Sequence, residues 1–332
     1  MTETNSAPIS VLMSVHNGMP YLPAAVDSIL EQTFTDWKMV IVNDGSTDES
    51  TNYLNDLSDP RIKIIHQEQQ GLAAALNHGI QHCDTPFLAR LDSDDIALPT
   101  RLEKQYQFMR KHPEVGLLGT QFNRLGPQRS GFPSKLPCGH DEITEALMEG
   151  KHAMCHPTIM CQTQIMRDVG GYWEHPIAQD WDIYLKMSEK SKLANLDEVL
   201  LYYRIHNASL NGQKLAKIRH HQRYAAECAR RRHEDLPWIE LSEYAATEKQ
   251  RPWTWQVRER LNEHAMRRYR AALNNILGDH PNLGYAQLGM AALCSPTLTA
   301  QRIRRMLSFR QSKNQPESVR PQTTDSGSRT PA

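Results

Sequence analysis

The residues best equipped for chemistry lie in Phe87-Leu88-Ala89-Arg90-Leu91-Asp92-Ser93-Asp94-Asp95-Ile96, an apolar run that ends in three acids. Apolar residues in this pattern read as a buried strand, and the carboxylates crowd its carboxyl end. Like charges this close repel unless a cation or ligand compensates them. Mg2+ and similar hard cations take oxygen ligands, commonly one or two carboxylates plus substrate phosphates. The chemistry implied is a divalent cation held against a diphosphate. By itself the cluster reads sooner as a solvated acidic turn with an Asp capping the next helix, because short acidic motifs are frequent.

Three more positions join it. Asp44, in Val42-Asn43-Asp44-Gly45-Ser46, follows another apolar run; a carboxylate there can accept the ring N–H of a uracil or similar base, or cap the following helix. Asp180 opens a helix after Gly170-Gly171-Tyr172-Trp173 and can act as a general base toward a hydroxyl, or as a helix cap. Asp182 falls on a different side of that helix and is the weaker candidate. His206, after Tyr203-Arg204-Ile205, can complete a metal's coordination through a ring nitrogen or be an ordinary surface histidine. His156 reads as structural or acceptor-side. Acids that each follow their own strand favour nucleotide binding.

The elements that must position these groups alternate. Strands are expected over 9–15, 37–42, 61–66, 86–91 and 115–120, with helices over 21–32, 47–57, 71–80 and 99–112. This is the pattern of βαβ units and a mostly parallel sheet, in which ligands bind outside the carboxyl ends of the strands. Residues 126–140, rich in Gly and Pro, read as a loop; 141–149 as a helix; 156–160 and 193–203 as strands. From about 213 the pattern is helical, with 282–307 amphipathic, and 311–332 has a disordered composition. The expected domains are 1–212, 213–310 and the 311–332 tail.

The chain has 332 residues and no net charge, but residues 1–212 carry about −10 and 213–332 about +10. The acidic part suits a metal site, and the basic part suits an anionic surface or an ordinary solvated face. Six cysteines without zinc spacing read as reduced thiols. A polar amino terminus and the lack of an apolar run of about 18 residues predict no membrane span. There is no GxGxxG after a strand, no P-loop and no recognisable nucleic-acid motif.

Taken in order, Ser14-Val15-His16-Asn17-Gly18, Val42-Asn43-Asp44-Gly45-Ser46-Thr47-Asp48, residues 71–80, Ala89-Arg90-Leu91-Asp92-Ser93-Asp94-Asp95, His156-Pro157-Thr158, Gly170-Gly171-Tyr172 and Asp180-Trp181-Asp182-Ile183-Tyr184-Leu185 resemble the family 2 glycosyltransferases. The resemblance runs from about residue 8 to 211. It implies an α/β GT-A fold, here with a C-terminal helical extension, and an inverting enzyme that uses nucleotide sugars. At matching positions it implies Asp44 at the nucleobase, Ser14, His16 and Asn17 lining base and ribose, Asp92 facing ribose or sugar, and Arg90 touching donor sugar or phosphate. It further implies Asp94 on Mg2+ or Mn2+, His206 as a further metal ligand, and Asp180 as catalytic base. The expected partners are a UDP-sugar or related donor and a saccharide or lipid-linked acceptor in glycan biosynthesis, with no nucleic acid. The expected location is cytoplasmic, with room for peripheral contact with the inner face of a membrane through the basic region. The chain departs from the pattern at Gln179, where Glu is usual, and lacks the QxxRW of processive synthases. A non-catalytic nucleotide-sugar binding or assembly protein and a nucleotidyltransferase are the competing readings.

Overall fold

The computed structural model describes residues 7–126, 130–173, 178–205, 215–297 and 299–300. Its first half alternates: β1 (Ile9–Val15), α1 (Leu22–Leu30), β2 (Trp37–Asp44), α2 (Ser50–Asn55), β3 (Ile62–Gln67), α3 (Leu72–Gln81) and β4 (Phe87–Arg90). Then come β5 (Ile96–Ala97), α4 (Arg101–Lys111), β6 (Val115–Leu125), β7 (Ser130–Pro133), α5 (His140–Met148), β8 (Met160–Gln162), α6 (Thr163–Asp168), α7 (Gln179–Ser188) and β9 (Lys192–Arg204). The helical remainder is α8 (Leu215–His233), α9 (Leu241–Lys249), α10 (Trp253–Leu277) and α11 (Pro281–Cys294).

One nine-stranded sheet has the order β3-β2-β1-β4-β8-β6-β9-β5, with β7 on β6. The β3-β2-β1-β4 block is parallel, as is β6 with β9, so most paired residues are parallel. The chain leaves β1 for β2 on one side and reaches β4 on the other. That reversal opens a crevice at the carboxyl ends of β1 and β4.

All of β1 is buried, because helices cover both sheet faces. Alternation sends Leu12 to the face under α3, α5 and α7, and Val11, Met13 and Val15 to the face under α1 and α4. Helix α8 joins the first of these cores through Ala225, Ala226 and Ala229.

Several elements differ from the sequence reading. The helix expected over 47–57 shrinks to α2, because residues 46–48 fold onto Asn17 and Asp48 Oδ1 accepts from Ser50 N at 3.0 Å. The expected loop 126–140 contains β7, paired with β6. Residues 156–160 are not one strand: Thr158 N bonds to Cys155 O in a tight turn at 156–158, and only then does β8 begin. Helix α11 is not one-sided, since Leu283, Tyr285, Met290 and Leu293 are exposed. Among the described residues, no helix is long and apolar enough to cross a membrane.

Candidate functional site

The parallel block sets the end of β2 beside β1 and the end of β1 beside β4. At the first of these, His16 Nδ1 donates to the carbonyl of Asp44 at 2.8 Å. A carbonyl only accepts, so the ring proton is on Nδ1, and Nε2 accepts from Gln69 Nε2 at 3.2 Å. Asn17 has a left-handed φ of 54°, and its Oδ1 accepts from Thr47 N at 2.7 Å. Ser14 is buried near the end of β1. The Asp44 carboxylate is itself buried: Oδ1 accepts from Gln67 Nε2 at 2.7 Å and Gln70 N at 2.8 Å, and Oδ2 from Gly71 N at 2.8 Å. Asp44 therefore shapes the 67–71 loop. With a single described partner, Oδ2 retains capacity for one more donor.

Beyond β4 the chain turns sharply. Arg204 at the end of β9 stitches the turn, its N–H donating to Asp95 Oδ1 at 2.8 Å and its Nε to the Asp94 carbonyl at 2.8 Å. Asp92, Asp94 and Asp95 each offer an oxygen within 4.8 Å of the others. Burial raises the Asp95 pKa well above the carboxylate range, and the charges of Asp92 and Asp94 add to it. Burial and Asp94 likewise raise Asp92, against the opposing pull of Arg90. Asp95 Oδ2 is buried without a partner among the described residues. Such a group carries a desolvation penalty that a cation would relieve. Asp95→Asn should therefore raise the melting temperature of the metal-free protein, at about 2–4 °C per kcal/mol, and abolish any rise on adding Mn2+. Thermal denaturation with and without Mn2+ checks both.

Arg90 is fully buried and pairs with Asp92, while its Nε and Nη2 have no partner among the described residues. Burial opposes its charge, but Asp92 and the neighbouring Tyr172 outweigh that and keep its pKa above the usual value. Arg101, also buried, bolts the end of β4 by donating from Nη2 to the Arg90 carbonyl at 2.6 Å. Burial pushes Arg101 down to about 9 despite the pull of Asp95.

Asp180 sits in the first turn of α7, after Ala178 in the left-handed region at φ 58°. Its Oδ1 accepts from Trp181 N at 3.0 Å. Burial raises its pKa to about 6; the Trp181 N–H and Arg90 oppose this and Asp92 adds to it. Asp180 thus shares one electrostatic neighbourhood with Arg90 and Asp92. Asp182 points elsewhere and pairs with Lys186 at 2.7 Å, as expected of the weaker candidate. Gln179 is buried.

A further group surrounds these. His156 Nε2 meets the Tyr172 hydroxyl at 2.7 Å, and burial, aided by Arg90, holds the imidazole well below its usual pKa and so neutral. The Tyr184 hydroxyl is buried without a partner among the described residues. Asn77 of α3 clamps Tyr172, its Oδ1 accepting from Tyr172 N at 2.8 Å and its Nδ2 donating to Tyr172 O at 2.7 Å. Gly171 makes this possible: its φ is +67°, and a Cβ there would lie 2.6 Å from Asn77 Oδ1. Gly171→Ala should cost about 2 kcal/mol from the left-handed backbone alone, read as a lower urea midpoint.

The structure brings Arg90, Asp92, Asp94 and Asp180 into one region, and Ser14, His16, Asn17 and Asp44 onto the adjoining strand ends. His206 lies outside the described residues. Asp95, Arg101, Tyr172, Tyr184 and Asn77 were not singled out by sequence reasoning. Asp95, Asn77, Tyr172 and Tyr184 lie inside the motif segments quoted above without a role being assigned to them, and only Arg101 lies outside all of these.

Comparison with known proteins agrees with this geometry. Residues 10–170 match the family profile described as Glycosyl transferase family 2. The chain is 34% identical over 214 residues to the O-antigen biosynthesis glycosyltransferase WbnJ of Escherichia coli, covering 63% of this chain and 84% of that one. It is 31% identical over 216 residues to the amylovoran biosynthesis glycosyltransferase AmsE of Erwinia amylovora, covering 62% and 79%. Two solved structures share the fold at low identity. One is residues 1–349 of TarS of S. aureus with UDP-GlcNAc (TM-score 0.54, 14% identity, 89% and 91% coverage). The other is the mannosyltransferase PcManGT of Pyrobaculum calidifontis with GDP-Man and Mn2+ (TM-score 0.51, 15% identity, 92% and 81% coverage). These likenesses bear on the fold alone, which is the expected GT-A arrangement. With a family profile across the strands that build the crevice, and a relative matched over most of its length, the chain belongs to glycosyl transferase family 2 and is a glycosyl-transferring enzyme.

Proposed function

We propose that the enzyme transfers a sugar, with inversion, from a nucleoside-diphosphate sugar, a UDP-sugar first among them, to a saccharide or lipid-linked acceptor in cell-surface polysaccharide synthesis. Residues 1–212 form the catalytic domain in this reading. The basic C-terminal region makes peripheral contact with a membrane on its cytoplasmic side. The observation that carries the reading is Asp180, a carboxyl with its pKa near 6, in the same neighbourhood as an acid cluster and a buried arginine with unpartnered N–H groups. The polysaccharide context follows the names of WbnJ and AmsE. The donor class follows the ligands of the two fold neighbours.

A hard divalent cation fits the acid cluster: its donors are carboxylate oxygens, and one of them is buried without a partner. Asp94 would hold Mg2+ or Mn2+ with Asp92 and Asp95 adjacent, and His206 is a further proposed ligand. Bound there, the ion supplies Lewis-acid stabilisation of the departing diphosphate. The chain's own residues do the rest. Asp44, with Ser14, His16 and Asn17, seats the base and ribose. Arg90 turns Nε and Nη2 to the donor's sugar or phosphate oxygens, and Asp92 fixes the guanidinium. Asp180 takes the proton from the acceptor hydroxyl as its oxygen bonds to the anomeric carbon and the bond to the diphosphate oxygen breaks.

A thermal-shift panel of nucleotide sugars with Mn2+, followed by NMR of the product anomer, tests the reading. One nucleotide sugar should raise the melting point, and its product should have inverted configuration. A protein that no nucleotide sugar stabilises, or a retained anomer, contradicts it.

A further inference from the structure

The positive charge of residues 213–332 is not spread evenly over a solvated face. On α8, Arg219 and Arg223 pair with Glu259, Arg223 also with Glu248, Arg230 and Arg231 with Glu227, and Arg232 with Glu189. Burial opposes the Glu248 charge, yet its bonds to His220 and Arg223 hold its pKa down to about 2. Arg219, Arg223 and Arg232 fasten α8 to neighbouring elements, and Arg230 and Arg231 are paired within α8 itself. On α10, by contrast, Arg258, Arg260, Arg267 and Arg268 are exposed and make no ion pair among the described residues.

Helix α11 lies antiparallel to α10. Gly284 fits against Ile276 and the Ala272 carbonyl, Asn275 Nδ2 donates to Gln287 Oε1 at 2.9 Å, and Ser295 Oγ donates to Asn262 Oδ1 at 2.8 Å. That register sets Asn262 opposite Ser295, so Leu261 lies at the carboxyl end of α11, about one turn from the level of Leu293. The fourteen residues of α11 contain no charged side chain, and only Gly284 and Ala291 are buried. Leu283, Ala286, Met290 and Leu293 follow at helical spacing along an exposed face, with Leu293 85% exposed. Trp253 (74% exposed), Val257 and Leu261 form a stripe on the neighbouring helix. A helix that is apolar around its circumference is normally covered. Beyond it the sequence continues with Arg302, Ile303, Arg304, Arg305, Met306, Leu307, Phe309 and Arg310, again basic and apolar.

We infer that the α10–α11 hairpin is a lipid-contacting element: the uncharged face of α11 enters the headgroup boundary of an anionic bilayer, and the free arginines of α10 bind lipid phosphates. Apolar side chains next to unpaired arginines are the composition of an interfacial helix, where buried apolar area and attraction to anionic lipid act together. A second copy of the chain would cover the apolar face but would bring its own arginines with it, so charge favours the bilayer. The inference rests on the peripheral membrane reading above and narrows it from a basic region to one hairpin.

The test is sedimentation of the full-length protein with vesicles of phosphatidylglycerol and phosphatidylcholine, or of phosphatidylcholine alone. Wild type should bind the anionic vesicles. The triple variant Leu283→Gln, Met290→Gln, Leu293→Gln should bind at least tenfold more weakly while keeping the wild-type far-UV circular dichroism, because none of the three side chains is buried. Replacing Arg258, Arg260, Arg267 and Arg268 by Gln should remove the preference for anionic lipid. Undiminished binding by both variants overturns the hairpin and leaves the membrane reading standing. A wild type that ignores both vesicle types overturns both. A wild-type dimer by light scattering, converted to monomer by the triple variant and indifferent to vesicles, assigns the face to a second copy and overturns the inference.

Discussion

Asp180→Asn should leave donor binding unchanged and slow turnover by about 10²–10⁴-fold, the usual contribution of a positioned base. The carboxamide is isosteric, and its oxygen can still accept from Trp181 N, so the first turn of α7 is preserved. What is lost is the capacity to take a proton. Titration of UDP by calorimetry separates binding from the rate of sugar transfer, and wild-type turnover in the variant would remove Asp180 from the reaction. The pH dependence follows from the same environment. Burial places the Asp180 pKa at about 6, and a base works only when deprotonated. kcat/KM, which reports the free enzyme, should therefore fall below about pH 6, approaching tenfold per unit, and level off above it. An acid limb near pH 4 would mean that this carboxyl is not the group that titrates.

Asp94→Ala should remove metal-dependent donor binding. Outer-shell partners of a metal site are typically worth 10–100-fold in affinity or activity, and a direct ligand should cost at least that. Asp92 has one oxygen engaged with Arg90 and Asp95 one with Arg204 N, so each has at most one carboxylate oxygen left for the ion, too few to make good the loss of Asp94. In a UDP titration with Mn2+, the variant should resemble wild type in EDTA. Unchanged affinity would place the ion elsewhere.

The sequence carried the α/β class and the alternating elements from β1 to β4 clearly, because buried parallel strands are continuous apolar runs and the helices between them keep one apolar stripe. It carried the acid cluster and Asp180 because each falls at the end of an element, where a change of residue type is visible. Other features depend on contacts between segments far apart in sequence. Asn77 reads as an unremarkable residue inside a helix until α3 is set against the Gly-Gly-Tyr turn. Arg101 finds its acceptors, the Arg90 and Ile159 carbonyls, only when β4 and the segment before β8 are folded against α4. Strand β5 is two residues long and exists only because β9 pairs with it. The 126–140 segment looked structureless for its Gly and Pro content, but β6 supplies the edge on which β7 forms. In the C-terminal region the charge count was legible but the arginines that face outward were not: pairing decides that, and pairing is tertiary.

The acids after β4 should bind a divalent ion and a nucleotide diphosphate within reach of Asp180. Anomalous scattering from crystals grown with UDP and Mn2+ tests it most directly. A single Mn2+ peak is expected in direct coordination with Asp94 and the diphosphate oxygens, with Asp180 facing the side from which an acceptor would arrive. A nucleotide bound with no Mn2+ peak at Asp94, or bound away from the carboxyl ends of β1, β2 and β4, would contradict it.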